Sequence, residues 1–167
     1  MKAIVRMLLA ATLMSGVIEV RAELPYPTFP AGVVAAYLNE DAAGSGWSSE
    51  TFPRLIRYAV WPDAPGWDTV TVIKSFSILD TAVSGHKAKV KVVYSVLGQL
   101  GNDTFKKAIS SEAVTYSLSL ANGKWTIEEP QLMPHIAVGD VIRLSKAREN
   151  QTPELKVSLG ELVKMSR

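Results

Sequence analysis

HKAKVKVVYSVL, residues 86–97, decides the fold. Ala88, Val90, Val92, Tyr94 and Val96 fall on one side of a period-two pattern, and Lys87, Lys89 and Lys91 on the other over its first half. That alternation is the signature of a long strand with one dry face. Residues 113–120, AVTYSLSL, set Val114, Tyr116, Leu118 and Leu120 against Thr115, Ser117 and Ser119, and Ala121-Asn122-Gly123-Lys124 leads straight into Trp125, Thr126 and Ile127. Asn-Gly adopts the positive φ angles of a two-residue hairpin at little steric cost, so these two strands are antiparallel neighbours. The expected scaffold is a curved antiparallel sheet.

Working back toward the N-terminus, residues 69–79 are rich in β-branched and aromatic side chains, and their alternation breaks near Ile73 and Lys74, which predicts a bulge. Residues 80–85 read as the connection to the long strand, 97–103 as a turn and 104–111 as an irregular rim or short edge strand. Pro30 opens a helix over 30–43 with Val33, Val34, Tyr37, Leu38 and Asp41 on one stripe. Asp41 reads there as an exposed acid near the helix end. A second helix is expected over 51–60, with Phe52, Leu55, Ile56, Ala59 and Val60 inward and Arg54, Arg57 and Tyr58 outside or at its edge. Prolines 25, 27 and 30 make the preceding segment an extended arm. Prolines also make the stretch from Trp61 to Asp68 a stiff connection carrying two indoles. Beyond the break at Pro130 to Pro134, helical spacing recurs over 137–149 and again from Pro153. The fold class is therefore α+β: a strongly curved antiparallel sheet packed on N-terminal helices, with an added C-terminal helical segment.

The N-terminus carries a different message. Lys2 and Arg6 precede an apolar run over 7–18, and Val20-Arg21-Ala22 offers the small residues that a signal peptidase accepts. Residues 1–22 read as a secretory signal and 23–167 as a single domain, exported to the periplasm or the extracellular space. The apolar run is too short for a membrane span, which takes roughly 20 apolar residues, so no stable span is expected after cleavage. The whole chain holds 18 basic and 16 acidic residues. Three of the basic ones and one acid lie in the signal, leaving 15 of each and a formal charge of zero. A nucleic-acid partner is not expected, because phosphate binding needs a concentrated positive surface and the three alternating lysines read as the wet side of a strand. The absence of cysteine removes disulfides, thiol nucleophiles and thiolate metal sites.

The candidate bases are Asp41, Asp68, Asp80, His86 and His135. The candidate hydrogen-bond donors are Tyr37, Tyr58, Tyr94 and Tyr116. His86 reads as a turn residue, and His135 as a histidine near the core or at the surface. Two histidines without an HExxH or cysteine partner make no metal site, and Gly44-Ser45-Gly46 follows a helix, which is the wrong context for a phosphate loop. No cofactor is called for. Tyr94 and Tyr116 lie on the apolar faces of their strands, where a phenol either fills the core or lines a pocket. Trp47, Trp61 and Trp67 cluster around the second helix, as a mouth for an apolar or planar ligand or as a small satellite core.

The order of these parts carries a resemblance. Two N-terminal helices, a Trp61-Pro62 connection, a meander containing Lys91-Val92-Val93-Tyr94-Ser95-Val96-Leu97-Gly98, and the closing Leu118-Ser119-Leu120-Ala121-Asn122-Gly123-Lys124-Trp125-Thr126-Ile127 hairpin resemble the nuclear transport factor 2-like superfamily over roughly residues 30–129. That superfamily includes ketosteroid isomerase and scytalone dehydratase. The resemblance implies a bent sheet wrapped around helices with a cavity open at one end, and it spans both enzymes and non-catalytic proteins. Its isomerase type uses an oxyanion-binding tyrosine and acid with a basic aspartate, and no segment here matches that set residue for residue.

Two functional readings follow. The first is a non-catalytic exported binding or accessory domain for a small apolar ligand or a protein partner, with Tyr37, Trp61, Trp67, Tyr94 and Tyr116 as the ligand-binding residues and dimerisation through the sheet as a subsidiary expectation. The alternative is a cofactor-independent isomerase, dehydratase or hydrolase. It would take its base from Asp41, Asp68 or Asp80 and its polarising hydroxyl from Tyr94 or Tyr116.

Overall fold

A computed structural model describes residues 25–61, 66–148 and 150–167. The expected signal segment and the middle of the Trp61 to Trp67 connection lie outside the described residues.

The chain is α+β. Helices α1 (Pro30–Ala42) and α2 (Pro53–Ile56) precede strands β1 (Thr69–Ser84), β2 (Lys87–Gly101), β3 (Thr104–Ala121), β4 (Lys124–Glu129) and β5 (His135–Ala137), and α3 (Val138–Lys146) and α4 (Pro153–Met165) close the order. The sheet runs β4-β3-β2-β1-β5. Its first four strands are antiparallel, and β5 joins β1 in parallel through Thr71 to Ile73. It is curled into a half-barrel.

The hairpins follow from local chemistry. Asn122 and Gly123 both have positive φ between the paired Ala121 and Lys124, as Asn-Gly demands. Asn102 and Asp103 do the same between Gly101 and Thr104. Their turn is tighter than the residue 97–103 connection read from sequence, so β2 continues to Gly101 and residues 104–111 belong to one long strand, β3. The break near Ile73 is a real irregularity: register shifts fall at Val72/Ile73 and Ile73/Ser75. It has a consequence for packing. Val70 and Val72 turn toward one apolar cluster and Ile73 toward another, so the shift lets the base of β1 be buried on both sides.

The larger cluster fills the concave face. Val33, Val34, Tyr37 and Leu38 of α1 meet Ala88, Val90, Val92, Tyr94 and Val96 of β2, Tyr116 and Leu118 of β3, and Trp125 and Ile127 of β4. The smaller cluster joins Val70, Val72, Leu97, Leu100, Phe105 and Ile136 to Val138 and Val141 of α3 and Leu162 of α4. The C-terminal helices thus cover the opposite side of the sheet base. A Ser158 hydroxyl accepts the Phe105 amide at 2.9 Å and donates to the Asp103 carbonyl at 3.0 Å, tying α4 to the first residues of β3.

Two helical expectations need correction. The second helix is one turn rather than the residue 51–60 span. Beyond Ile56 the chain is captured by β4: Ile127 donates its amide to the Tyr58 carbonyl and Val60 donates to the Ile127 carbonyl. Tyr58 is consequently buried and Val60 exposed, the reverse of the expected sides. The first helix ends as Gly44 predicts. Gly44, at φ +92°, donates to the Asp41 carbonyl, and Ser45 donates to that of Glu40, the paired bonds of a glycine-terminated helix. The extended arm lies on the body: the Tyr26 hydroxyl donates to the Trp125 carbonyl at 2.5 Å and the ring stacks on Tyr58.

Candidate functional site

The concave face gathers most of the side chains that the sequence singled out. Asp41 sits on the inward stripe of α1, one residue before its end, and is buried rather than exposed. The helical stripe through Tyr37 and Leu38 places it there. Its Oδ2 accepts the His135 backbone amide at 3.0 Å, and its Oδ1 has no partner. Burial pushes this carboxyl up to about 7, and the His135 amide opposes the rise.

Tyr94 and Tyr116 lie on neighbouring strands, and their hydroxyls are 2.6 Å apart. Both rings are 0% exposed. Tyr37 stands edge-on to Tyr116 and to Trp61. Burial, first, and then the neighbouring phenol and carboxyl groups hold the Tyr37 and Tyr94 hydroxyls above the usual phenol range. Tyr116 is raised too, chiefly by burial, with its hydrogen bond to Tyr94 working the other way.

β5 brings His135 into this group, stacked on Tyr94 with centroids 4.2 Å apart. Neither ring nitrogen has a hydrogen-bond partner, and Nε2 lies 3.6 Å from Glu112 Oε2, just beyond bonding distance. Burial lowers the imidazolium, opposed first by the Glu112 charge. Glu112 was missing from the sequence candidates, although it stands two residues before Val114 and four before Tyr116 on the same side of a period-two strand. That parity was the available signal. Reading residues 104–111 apart from 113–120 hides it, because Glu112 falls between the two segments of what is one strand.

The remaining candidates disperse. Asp68 is exposed at the start of β1. Asp80 is exposed on the distal part of β1 and caps the Thr81 amide at 2.8 Å. His86 is exposed in the two-residue turn between β1 and β2. The three tryptophans line hollows in pairs, Trp61 with Trp67 beside Asp41 and Trp47 with Trp67 in one of about 370 Å³ beside Leu100 and Asp103. Trp61 is buried and donates to the Glu128 carbonyl at 3.1 Å. Trp67 is 41% exposed, and Trp47 packs against the smaller cluster.

What decides the chemistry is free space. Among the described residues, a hollow of about 10 Å³ lies beside Asp41, lined by Tyr37, Gly46, Trp61, Trp67 and Pro134 among others. That holds about one water molecule. The concave face has a raised carboxyl beside phenols, the pairing that proton transfer needs, and among the described residues the hollow next to that carboxyl is smaller than a substrate. Among the described residues no three metal-ligating side chains converge, and no helix is long and apolar enough to cross a membrane. No family model, curated protein or solved structure matches the chain.

Proposed function

We propose that this chain is a non-catalytic binding or accessory domain, working outside the cytoplasm, whose concave face serves as its own core and whose ligand or protein partner is met on the outside. The observation that carries this reading is the Tyr94 and Tyr116 pair. The two fully buried hydroxyls bond to each other at 2.6 Å, one donating and the other accepting, whereas hydroxyls that serve a ligand would point into space. Export rests on the N-terminal sequence pattern, and kinship with the nuclear transport factor 2-like superfamily on the order of helices and strands. Homodimerisation through the sheet is the subsidiary proposal. It is supported by the distal half of β1, residues 74–84, whose edge away from β2 has no strand neighbour among the described residues and which exposes Leu79 and Val83. A chain that sediments as monomer across a micromolar range ends that proposal.

The tyrosine pair gives the test of the main reading. Tyr94→Phe or Tyr116→Phe alone strands the other hydroxyl in the core and is expected to cost about 1–3 kcal/mol of stability. The double variant strands nothing, so it should cost less than the two single losses together, with a coupling on the order of 1 kcal/mol in urea unfolding. Purely additive, near-zero losses would mean that the hydroxyls are held for something other than each other. An enzymatic role is favoured by one observation, the unpartnered Asp41 Oδ1 on a carboxyl near 7. For that reading the hollow beside it would have to open.

A further inference from the structure

A hollow on the outside of the molecule is far roomier than the one beside Asp41. It holds about 340 Å³ between the end of α1, the loop leading into α2, and α3. Ala43, Gly44 and Leu144 give it apolar wall, Trp47 contributes an indole, and Arg54, Arg143 and Arg148 all line it. No carboxylate is among the lining residues. Such a volume is at the small end of organic-ligand sites.

The three guanidiniums are not equally committed. Arg143 spends Nε and Nη2 on Asp140, with Nη2 also 3.4 Å from the Ala43 carbonyl. Arg148 gives Nη1 to Asp103 at 2.8 Å, and its guanidinium stands 5.3 Å over the Trp47 ring. Each keeps donors in hand, because a guanidinium carries five. Arg54 is exposed and has no carboxylate partner among the described residues. The two acids are engaged from outside the hollow, so the wall facing inward is one of positive forks beside a flat π surface. Planar forks and aromatic faces together suit an anion attached to a flat ring.

We infer that this hollow binds a small organic anion of the aromatic carboxylate class, its carboxylate held by Arg54 with Arg143 or Arg148 and its ring laid against Trp47. The inference rests on the reading of the chain as a binding domain and names what it binds. Sequence alone gave no hint of the arginine cluster, since its members come from residues 54, 143 and 148 and meet only through the packing of α3 beside the end of α1.

The test is a nitrogen-proton correlation spectrum of the whole protein titrated with 2-naphthoate, with 2-naphthalenemethanol and inorganic phosphate as separate controls. Trp47 is identified among the four indole signals by its loss in Trp47→Phe. Naphthoate is expected to shift the Trp47 indole and to bind about tenfold more tightly than either control, and Arg54→Gln to weaken it about tenfold with the unfolding midpoint unchanged. No Trp47 shift up to millimolar naphthoate overturns the inference. So does equal binding of the neutral alcohol, of phosphate alone, or of naphthoate to Arg54→Gln. A ligand that shifts Tyr94 and Tyr116 and leaves Trp47 unmoved overturns the filled-core reading as well as this site. An unmoved Trp47 with unmoved tyrosines overturns only the site.

Discussion

Gly98→Ala is expected to lower stability by about 3–5 kcal/mol, the range of substitutions that combine steric overlap with an unsuitable backbone conformation. Gly98 has φ +155° where β2 changes register against both of its neighbours. A methyl group there would meet the Lys106 carbonyl oxygen of β3 and the Phe105 ring at 2.9 Å. The carbonyl is backbone in a paired strand and cannot rotate away, so β2 and β3 would have to part. This is also where the strands pass from the concave cluster, through Val96, to the opposite one, through Leu97 and Leu100. The loss should appear as an earlier urea midpoint with little change in slope. Gly139→Ala is the control: an added Cβ at this position, in α3, meets nothing within 4 Å. Alanine there is expected to be neutral or to stabilise by about 0.5–1 kcal/mol. Equal effects at the two positions would contradict the close approach at Gly98.

The second large effect belongs to Asp41 and depends on pH. Its folded pKa is raised from 3.8 to about 7, so between those values the folded chain holds a proton that the unfolded chain has released. Asp41 therefore makes its most favourable contribution below about pH 4, and that contribution declines as pH rises to about 7. The full span is roughly 4 kcal/mol at the usual 1.36 kcal/mol per unit. His135 works in the opposite direction. Its imidazolium is lowered from 6.5 by burial, so its contribution is lost as pH falls through 6.5 toward the folded value. In the native protein the two slopes partly offset each other over the acidic range. Asp41→Asn removes the first of them. An amide oxygen can still accept the His135 amide, so the variant is expected to gain on the parent steadily from pH 4 to 7 and to be the more stable by about 2 kcal/mol at pH 8, half the span being set aside for relaxation and water entry. Unfolding free energies of both proteins across pH 4–8 give the difference directly. A difference that stays flat would show that Asp41 is not held in a dry site.

Much of this fold is legible because burial leaves a period in the sequence. The dry face of β2, the Asn122-Gly123 hairpin, the break at Ile73 and the inward stripe of α1 all appear where alternation, turn chemistry or helical spacing places them. The misreadings share another cause, which is long-range capture. β5 is three residues made a strand only by Thr71 to Ile73 of β1, and nothing local marks His135 as part of a sheet. The failure of 51–60 to stay helical is decided by Ile127. The same holds for the site. Tyr94, Tyr116, Tyr37 and Asp41 are each visible as polar groups on apolar faces, yet only the packing of α1 into the curled sheet shows that they meet, and how small the hollow left beside them is.

The most direct measurement is the native mass of the protein purified from its own host without stripping washes. The account predicts one chain, two copies or a complex with a protein partner, with no small molecule whose retention depends on Tyr94. An anion held loosely at the outer hollow would be lost by Tyr94→Phe no more readily than by the parent. A tightly bound small apolar molecule, at one per chain and missing from the Tyr94→Phe variant, would contradict it and make the concave face a binding cavity.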